Sequence, residues 1–181
     1  WQRQYGGITS RIYRSTDGGV NWTMVLTGAA GTSVHFDSTN PTIAYASLGS
    51  TGSDSDNGIY KSTDAGVSWT KLVGTGVNLL PTANVGRIEM AIAPSNSSTL
   101  YVGIQNSSSA AFGSLLGFWK TNDGGQNWTR LTATPDYCTP QCWYDHVIRV
   151  HPNNAGVVYA GGGAPSFTAG GYFVRNTNAL A

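Results

Sequence analysis

The acidic residues of this chain are few, and six of the nine lie outside a repeated motif that is described below. A glycoside hydrolase needs two carboxyl groups that face each other at about 5 to 9.5 Å. When the repeats are aligned by a shared tyrosine, Arg87 and Asp145 fall at equivalent positions, and Glu89 follows Arg87 on the same strand face. We therefore expect Arg87, Glu89 and Asp145 to lie close together. They form either an acid and base set, with Asp145 as the leading catalytic candidate, or an ion pair of Arg87 with Asp145 between neighbouring repeats.

Three aromatic residues lie close to Asp145 in the sequence: Tyr137, Trp143 and Tyr144. Aromatic rings stack on sugar rings, and a neighbouring carboxylate can accept hydrogen bonds from sugar hydroxyl groups. These residues, together with Arg87 and Glu89, are the predicted ligand-binding set. The same pattern is compatible with ordinary packing between repeats, and the sequence does not choose between the two.

The two cysteines, Cys138 and Cys142, enclose a short segment that contains Pro140. Their spacing does not fit a haem attachment motif, and His146 and His151 point to opposite faces of one predicted strand, so no metal site and no cofactor are expected. A local disulfide is the favoured interpretation, with reduced, solvent-facing thiols as the alternative. Closing this small loop would stabilise the protein by about 2 kcal/mol in the chain-entropy model.

Composition limits the possible partners and location of the chain. Charged residues make up 10% of the sequence and the net charge is +1, so no basic surface for nucleic acid is expected. The apolar runs are much shorter than the ~20 residues of a membrane-spanning helix. The 24 glycines and the many Ser, Thr and Asn residues are typical of secreted β proteins, and we expect an extracellular location.

One nine-residue motif occurs three times, as STDGGVNWT at 15–23, STDAGVSWT at 62–70 and TNDGGQNWT at 121–129. Its recurring residues are Ser15, Asp17, Gly19 and Trp22; Ser62, Asp64, Gly66 and Trp69; Thr121, Asp123, Gly125 and Trp128. The glycines suit a tight hairpin, and the aspartate can accept hydrogen bonds from the N–H groups of the turn. A structural role is favoured over a catalytic one, because a carboxylate engaged by amides is a poor proton carrier.

A second marker recurs in phase with this motif and ends in Tyr45, Tyr101 and Tyr159. Between the markers the sequence reads as four short strands in each unit of about 50 residues, which is the pattern of a β-propeller blade. We expect an all-β chain with about three to four four-stranded antiparallel blades: a half blade at 8–27, blades at 31–74 and 86–132, and an incomplete blade at 143–181. Asn178 marks a degenerate fourth motif.

The motif S-T-D-G-G-x-x-W-T resembles the Asp-box, or bacterial neuraminidase repeat, of sialidases, xyloglucan-degrading endoglucanases and sortilin-type receptors. The stretch CWYDHVIRVHPNNAGVVYAGG is similar to blades of secreted bacterial proteins of the sortilin and xyloglucanase-like group. The resemblance implies that the motifs lie on the face of the ring away from the ligand. Only Arg87 and Arg149 lie on predicted inner strands, so the arginine triad of a sialidase is not supported.

These patterns predict a single partial propeller domain, 1–181, that belongs to a larger ring. The primary function expected is a secreted module that binds carbohydrate or protein, or a component of an extracellular assembly. The alternative is a glycoside hydrolase that resembles the xyloglucan-degrading endoglucanases. The expected partners are a polysaccharide or protein ligand, and further blades of the same chain or other subunits that cover the open ends.

Overall fold

The computed structural model describes residues 11–163 and 172–176, which consist of β-strands, turns and loops. The strands are β1 (Arg11–Arg14), β2 (Thr23–Thr27), β3 (Gly31–Phe36), β4 (Ala44–Leu48), β5 (Gly58–Ser62), β6 (Thr70–Leu72), β7 (Gly74–Thr75), β8 (Asn78–Leu79), β9 (Val85–Ala93), β10 (Asn96–Asn106), β11 (Leu115–Thr121), β12 (Thr129–Arg130), β13 (His146–His151), β14 (Asn154–Gly162) and β15 (Tyr172–Asn176). Within these two ranges, no helix has the length and apolarity needed to cross a membrane. The predicted first-blade start at Ile8 and the degenerate motif at Asn178 lie outside the described residues.

The strands form antiparallel sheets whose strand order follows the sequence. Two sheets have four strands, β3 to β6 and β9 to β12, while β13 to β15 form a three-stranded sheet and β1 pairs with β2. Strands β7 and β8 form a small separate hairpin. Strand β9 lies beside both β3 and β13, so the first strands of successive sheets are neighbours. This arrangement confirms the predicted fold. The described chain is all-β and forms part of a propeller.

Two hydrophobic cores pack the sheet of β9 to β12, which we call the central sheet, against its two neighbours. Ile88 and Met90 of β9 are fully buried in the core shared with the β3 to β6 sheet, whereas Ala91 of the same strand packs in the core shared with the β13 to β15 sheet. The alternation of side chains along a strand explains this division. Complete burial of a side chain such as Ile88 stabilises the fold by about 1.5 to 3 kcal/mol.

The three copies of the repeated motif form the hairpins that precede β2, β6 and β12, and we call them the repeat hairpins. In the second one, Asp64 Oδ1 accepts hydrogen bonds from the backbone N–H groups of Val67 (3.1 Å) and Ser68 (2.9 Å), and from the Ser62 hydroxyl (2.7 Å). Hydrogen bonds from the Ser68 hydroxyl and amide hold the pKa of Asp64 well below its usual range. Asp17 and Asp123 make equivalent bonds, and both have a pKa of about 2.

Successive sheets are joined by a repeated contact from a basic side chain to the next repeat hairpin. Arg14 Nε donates to the Ala65 carbonyl at 2.9 Å, and Lys61 Nζ donates to the Gly124 carbonyl at 3.1 Å. Ala65 and Gly124 occupy the same position of the motif, and both have a positive φ. The left-handed turn therefore presents one carbonyl oxygen from each hairpin to the sheet before it.

The motif tryptophans become more buried along the chain. Trp128 is 2% exposed and packs in the core between the β3 to β6 and β9 to β12 sheets, and Trp69 packs against the core between the first two sheets. Trp22, in the first described sheet, is 61% exposed. Trp69 and Trp128 thus each cover the side of their sheet that faces the preceding one.

Replacing Asp64 by Ala should lower the temperature of thermal unfolding by roughly 5 °C, because the turn amides of Val67 and Ser68 lose their acceptor. Differential scanning calorimetry measures this change. Asp64→Asn keeps one acceptor oxygen and should lose less stability. Ligand binding by the folded Asp64→Ala protein should be unchanged, and an Asp64→Ala protein that unfolds at the wild-type temperature would contradict the structural role.

Candidate ligand site on the inner strands and facing loops

The residues predicted to bind a ligand lie at the end of the sheets opposite to the repeat hairpins. Antiparallel strands reverse direction at each turn, so the start of an inner strand and the hairpin between the third and fourth strands are at opposite ends of a sheet. Arg87 and Glu89 lie near the start of β9, and Asp145 immediately precedes β13.

Arg87 pairs with Glu89 and not with Asp145. The Arg87 Nη2 atom is 3.9 Å from Glu89 Oε2, and the two side chains are 30% and 13% exposed. Burial raises the pKa of Glu89 to about 6, although the charges of Arg87 and Arg149 oppose the shift. Among the described residues Arg87 is within ion-pair distance of Glu89 and not of Asp145, whose carboxylate lies beside Gly163.

Arg149 of β13 also acts electrostatically on Glu89, and His35 of β3 is in turn influenced by Arg149. Arg149 is exposed, and its Nη1 donates to the Ile148 carbonyl at 2.7 Å. Burial and the charge of Arg149 lower the pKa of His35, which keeps this imidazole neutral at pH 7. The sequence places Arg149 on an inner strand, but it predicts neither the proximity of Arg149 to Glu89 nor the involvement of His35. The alternation of side chains along β3 indicates the face of the strand on which His35 lies. It does not show which neighbouring sheet that side chain approaches.

Tyr137 lies below the surface and is not available to stack on a ligand. It is 1% exposed, its ring packs edge-on against Phe118 at 6.1 Å, and its hydroxyl is 2.5 Å from His146 Nε2. Burial, followed by the charge of Arg87, lowers the pKa of His146 to about 3. The prediction that Tyr137 contacts ligand is therefore wrong, because the loop folds its ring into the core between sheets.

This buried pair fits only because residue 103 is a glycine. Gly103 lies opposite Glu89 in the ladder between β9 and β10. A Cβ atom at this position would be 2.6 Å from the Tyr137 hydroxyl and would also collide with His146. Gly103 therefore lets the loop before β13 pack directly over the central sheet.

Trp143 and Tyr144 form an aromatic pair at the surface of the same loop. Their ring centroids are 5.8 Å apart and Tyr144 is 64% exposed. Trp143 is partly buried, and its ring lies near Gly113 in the neighbouring loop. The pair is thus held on one side and open on the other.

The predicted disulfide between Cys138 and Cys142 is present and anchors this loop. The Cys142 backbone N–H donates to the Gly113 carbonyl at 3.0 Å. Asp136 accepts from the Thr139 amide at 3.1 Å and from the Leu115 amide at 3.1 Å. The Asp136 carboxylate lies near both sulfur atoms, but bonded sulfurs are not the thiolates that bind metal ions.

Comparison with known proteins supports the fold. No protein-family model matches the sequence, and no match is found among curated proteins. Among solved structures, the GH74 enzyme of Niastella koreensis matches 92% of this chain with a TM-score of 0.63 and 23% identity, over 25% of its own length. An ancestral GH74 enzyme matches 93% with a TM-score of 0.63 and 21% identity, over 22% of its length.

The GH74 xyloglucanase from Xanthomonas campestris matches 95% of this chain with a TM-score of 0.58 and 18% identity, over 26% of its length. The chain thus spans about a quarter of the length of these enzymes. Likeness at this level of identity establishes the fold alone. The predicted similarity to xyloglucan-degrading enzymes is confirmed for the fold, while the likeness to the Asp-box and to sortilin-type receptors stays a prediction.

Gly103→Ala should destabilise the protein by about 1 to 3 kcal/mol, because the new methyl group collides with the buried Tyr137 and His146 side chains. Urea unfolding followed by circular dichroism measures the change. Gly52→Ala is the matched control, since a Cβ atom at Gly52 meets open space and should leave stability nearly unchanged. Equal stability of the two variants would show that the loop does not pack over the central sheet.

Proposed function

We propose that this chain is part of a secreted propeller that binds a polysaccharide on the face opposite to the repeat hairpins. The observation that carries this proposal is the surface pair of Trp143 and Tyr144 on a loop fixed by a disulfide. A rigid aromatic surface loses little conformational entropy when a sugar ring stacks on it. The similarity in fold to GH74 enzymes, one of them named a xyloglucanase, favours a carbohydrate over a protein ligand.

The secreted location is also a proposal, and the disulfide supports it, because such bonds persist in oxidising compartments. Exposed apolar side chains at both ends of the described sheets support a larger ring. Trp22, beside the first sheet, and Val34 and Phe36 of β3 are exposed at one end. Phe173 is exposed on the last sheet. We propose that further blades of the same chain, or other subunits, cover these faces.

Trp143→Ala and Tyr144→Ala should each weaken the binding of soluble xyloglucan by about fivefold to a hundredfold, because each removes one stacking surface of about 1 to 3 kcal/mol. Isothermal titration calorimetry on the full-length protein measures the affinity. Tyr13→Ala is the matched control, because Tyr13 is also an exposed aromatic residue but lies in the outer first sheet. Unchanged affinity in both loop variants would refute the proposed binding surface.

Hydrolysis of the bound polysaccharide is a second candidate function, and the observation that favours it is the raised pKa of Glu89. A glycosidase acid must hold its proton near neutral pH, and Glu89 has a pKa of about 6. Asp145, at the start of the next inner strand, is the candidate for the second carboxylate. In this hypothesis Glu89 protonates the leaving oxygen, and Asp145 acts on the opposite side of the sugar ring.

If the protein is a hydrolase, Glu89→Gln and Asp145→Asn should each lower kcat on xyloglucan by about a hundredfold or more while leaving binding in place. The rate should fall as the pH rises through about 6, because Glu89 then loses the proton that it must donate. Release of reducing sugar measures the activity of the full-length protein. Asp54→Asn is the control for loss of a loop carboxylate, and full activity in Glu89→Gln would exclude Glu89 as the acid.

A further inference from the structure

A cavity of about 250 Å³ opens between the two four-stranded sheets. Three residues of its wall show at which end of the sheets it lies: Gly58 begins β5, Leu72 ends β6 and Val85 begins β9. These strand ends are opposite to the repeat hairpins, at the end where Trp143 and Tyr144 precede β13. The cavity therefore opens on the face that we propose binds polysaccharide.

The cavity has an apolar bottom and a polar mouth. Ile59, Ile88 and Ile104 line the bottom, and each is at most 1% exposed. Lys71, which is half-buried, and Thr82, which is exposed, lie at the mouth. A cavity of about 150 Å³ with an aliphatic and aromatic lining is large enough to hold benzene. This cavity is larger and has the lining typical of sites for small apolar groups.

The next interface, between the central sheet and the β13 to β15 sheet, has an aromatic ring in the equivalent place. Ile59 and Phe118 each lie three residues before the first residue of a repeat hairpin. Ile88 and His146 are equivalent in the same way, because each lies three residues before the partner of a repeat tyrosine. Tyr137 packs its ring against Phe118 and bonds His146. The two residues that hold this ring thus correspond to two residues at the bottom of the cavity.

The loop before β9 has no aromatic residue that could fill the cavity. This loop, 73–84, contributes the smaller side chains of Leu80 and Pro81 to the wall. The corresponding loop before β13 contributes Tyr137, which is 1% exposed. Because neighbouring sheets are built alike, the space that a tyrosine ring fills in one interface stays open in the other.

We propose that this cavity binds the aromatic ring of an aryl-substituted saccharide, in the place that Tyr137 takes in the next interface. The saccharide part of this inference rests on the proposed function, whereas the aromatic part rests on the cavity alone. Lys71 Nζ donates to the Ser55 carbonyl at 2.6 Å and, as an ammonium group, has further N–H donors. One of these can bond the oxygen atom that links the ring to the sugar.

The bottom of the cavity favours a ring without a hydroxyl group. In the next interface, the Tyr137 hydroxyl is bonded to His146. Ile88, the equivalent of His146, has no polar side-chain atom. A hydroxyl group at the inner end of a bound ring would give up its hydrogen bonds with water and find no partner on this side chain. The cavity should therefore prefer phenyl to 4-hydroxyphenyl.

The test compares three glucosides by calorimetry on the full-length protein: phenyl, 4-hydroxyphenyl and methyl β-D-glucoside. Phenyl glucoside should bind at least about tenfold more tightly than methyl glucoside, because the cavity removes the apolar surface of the ring from water. It should also bind about fivefold or more tightly than 4-hydroxyphenyl glucoside, whose hydroxyl group is buried without a partner.

Two variants fill the proposed site from different sides. Leu80→Phe places a ring inside the cavity, and Thr82→Trp covers its mouth from an exposed position without altering the core. Both should remove the preference for phenyl over methyl glucoside. Val77→Trp is the matched control, because Val77 belongs to the same loop, is 95% exposed and lies outside the cavity wall. The thermal unfolding temperature shows whether each variant is folded.

Equal affinity for phenyl and methyl glucosides, or no binding of phenyl glucoside, overturns this inference. Tighter binding of 4-hydroxyphenyl glucoside, or a phenyl preference that persists in folded Thr82→Trp, overturns it as well. Xyloglucan binding that is lost in Trp143→Ala leaves the proposed function standing in each of these cases. A preference for phenyl glucoside without any xyloglucan binding refutes the proposed function and leaves the aromatic site in place.

Discussion

The hydrogen bond from a basic side chain to the carbonyl of the next repeat hairpin is the contact on which the rest of the structure depends. Arg14 reaches Ala65 and Lys61 reaches Gly124 in the same way. The carbonyl faces the preceding sheet only because the turn is left-handed at that residue. The conformation of this turn depends on the carboxylate of Asp64 or Asp123. That carboxylate accepts hydrogen bonds from backbone N–H groups of the turn. One local motif thus links the first three described sheets in the same way.

The packing of neighbouring sheets brings the charged side chains of the inner strands together. Because β9 lies between β3 and β13, Arg149 of β13 acts on Glu89 of β9, and His35 of β3 is influenced by the same Arg149. No single sheet contains the group, and its electrostatic character comes from how closely the sheets pack. The buried Tyr137 and His146 pair adds a second requirement, since it occupies space that only a glycine at 103 leaves free.

The sequence predicted the features that depend on local pattern. Repetition of Asp, Gly and Trp at fixed offsets predicted the propeller, and the close spacing of Cys138 and Cys142 predicted their disulfide. It did not predict properties that depend on packing between sheets. Tyr137 is of a residue type that often binds sugars, but it is buried because the loop that carries it folds over β10. The sequence also does not show which carboxylate pairs with Arg87, because both Glu89 and Asp145 lie near it when the repeats are aligned.

The graded burial of the motif tryptophans has a practical consequence. An indole in contact with water emits at longer wavelength than one in an apolar core, and Trp22 and Trp128 represent these two extremes. The chain therefore carries optical reporters of its own, one on the first described sheet and one between the two four-stranded sheets. With the other indoles replaced by phenylalanine, Trp69 would report loosening of the first sheet from the second, and Trp128 would report opening of the two four-stranded sheets. Whether the sheets separate one at a time or together could then be read from the colour of the emission.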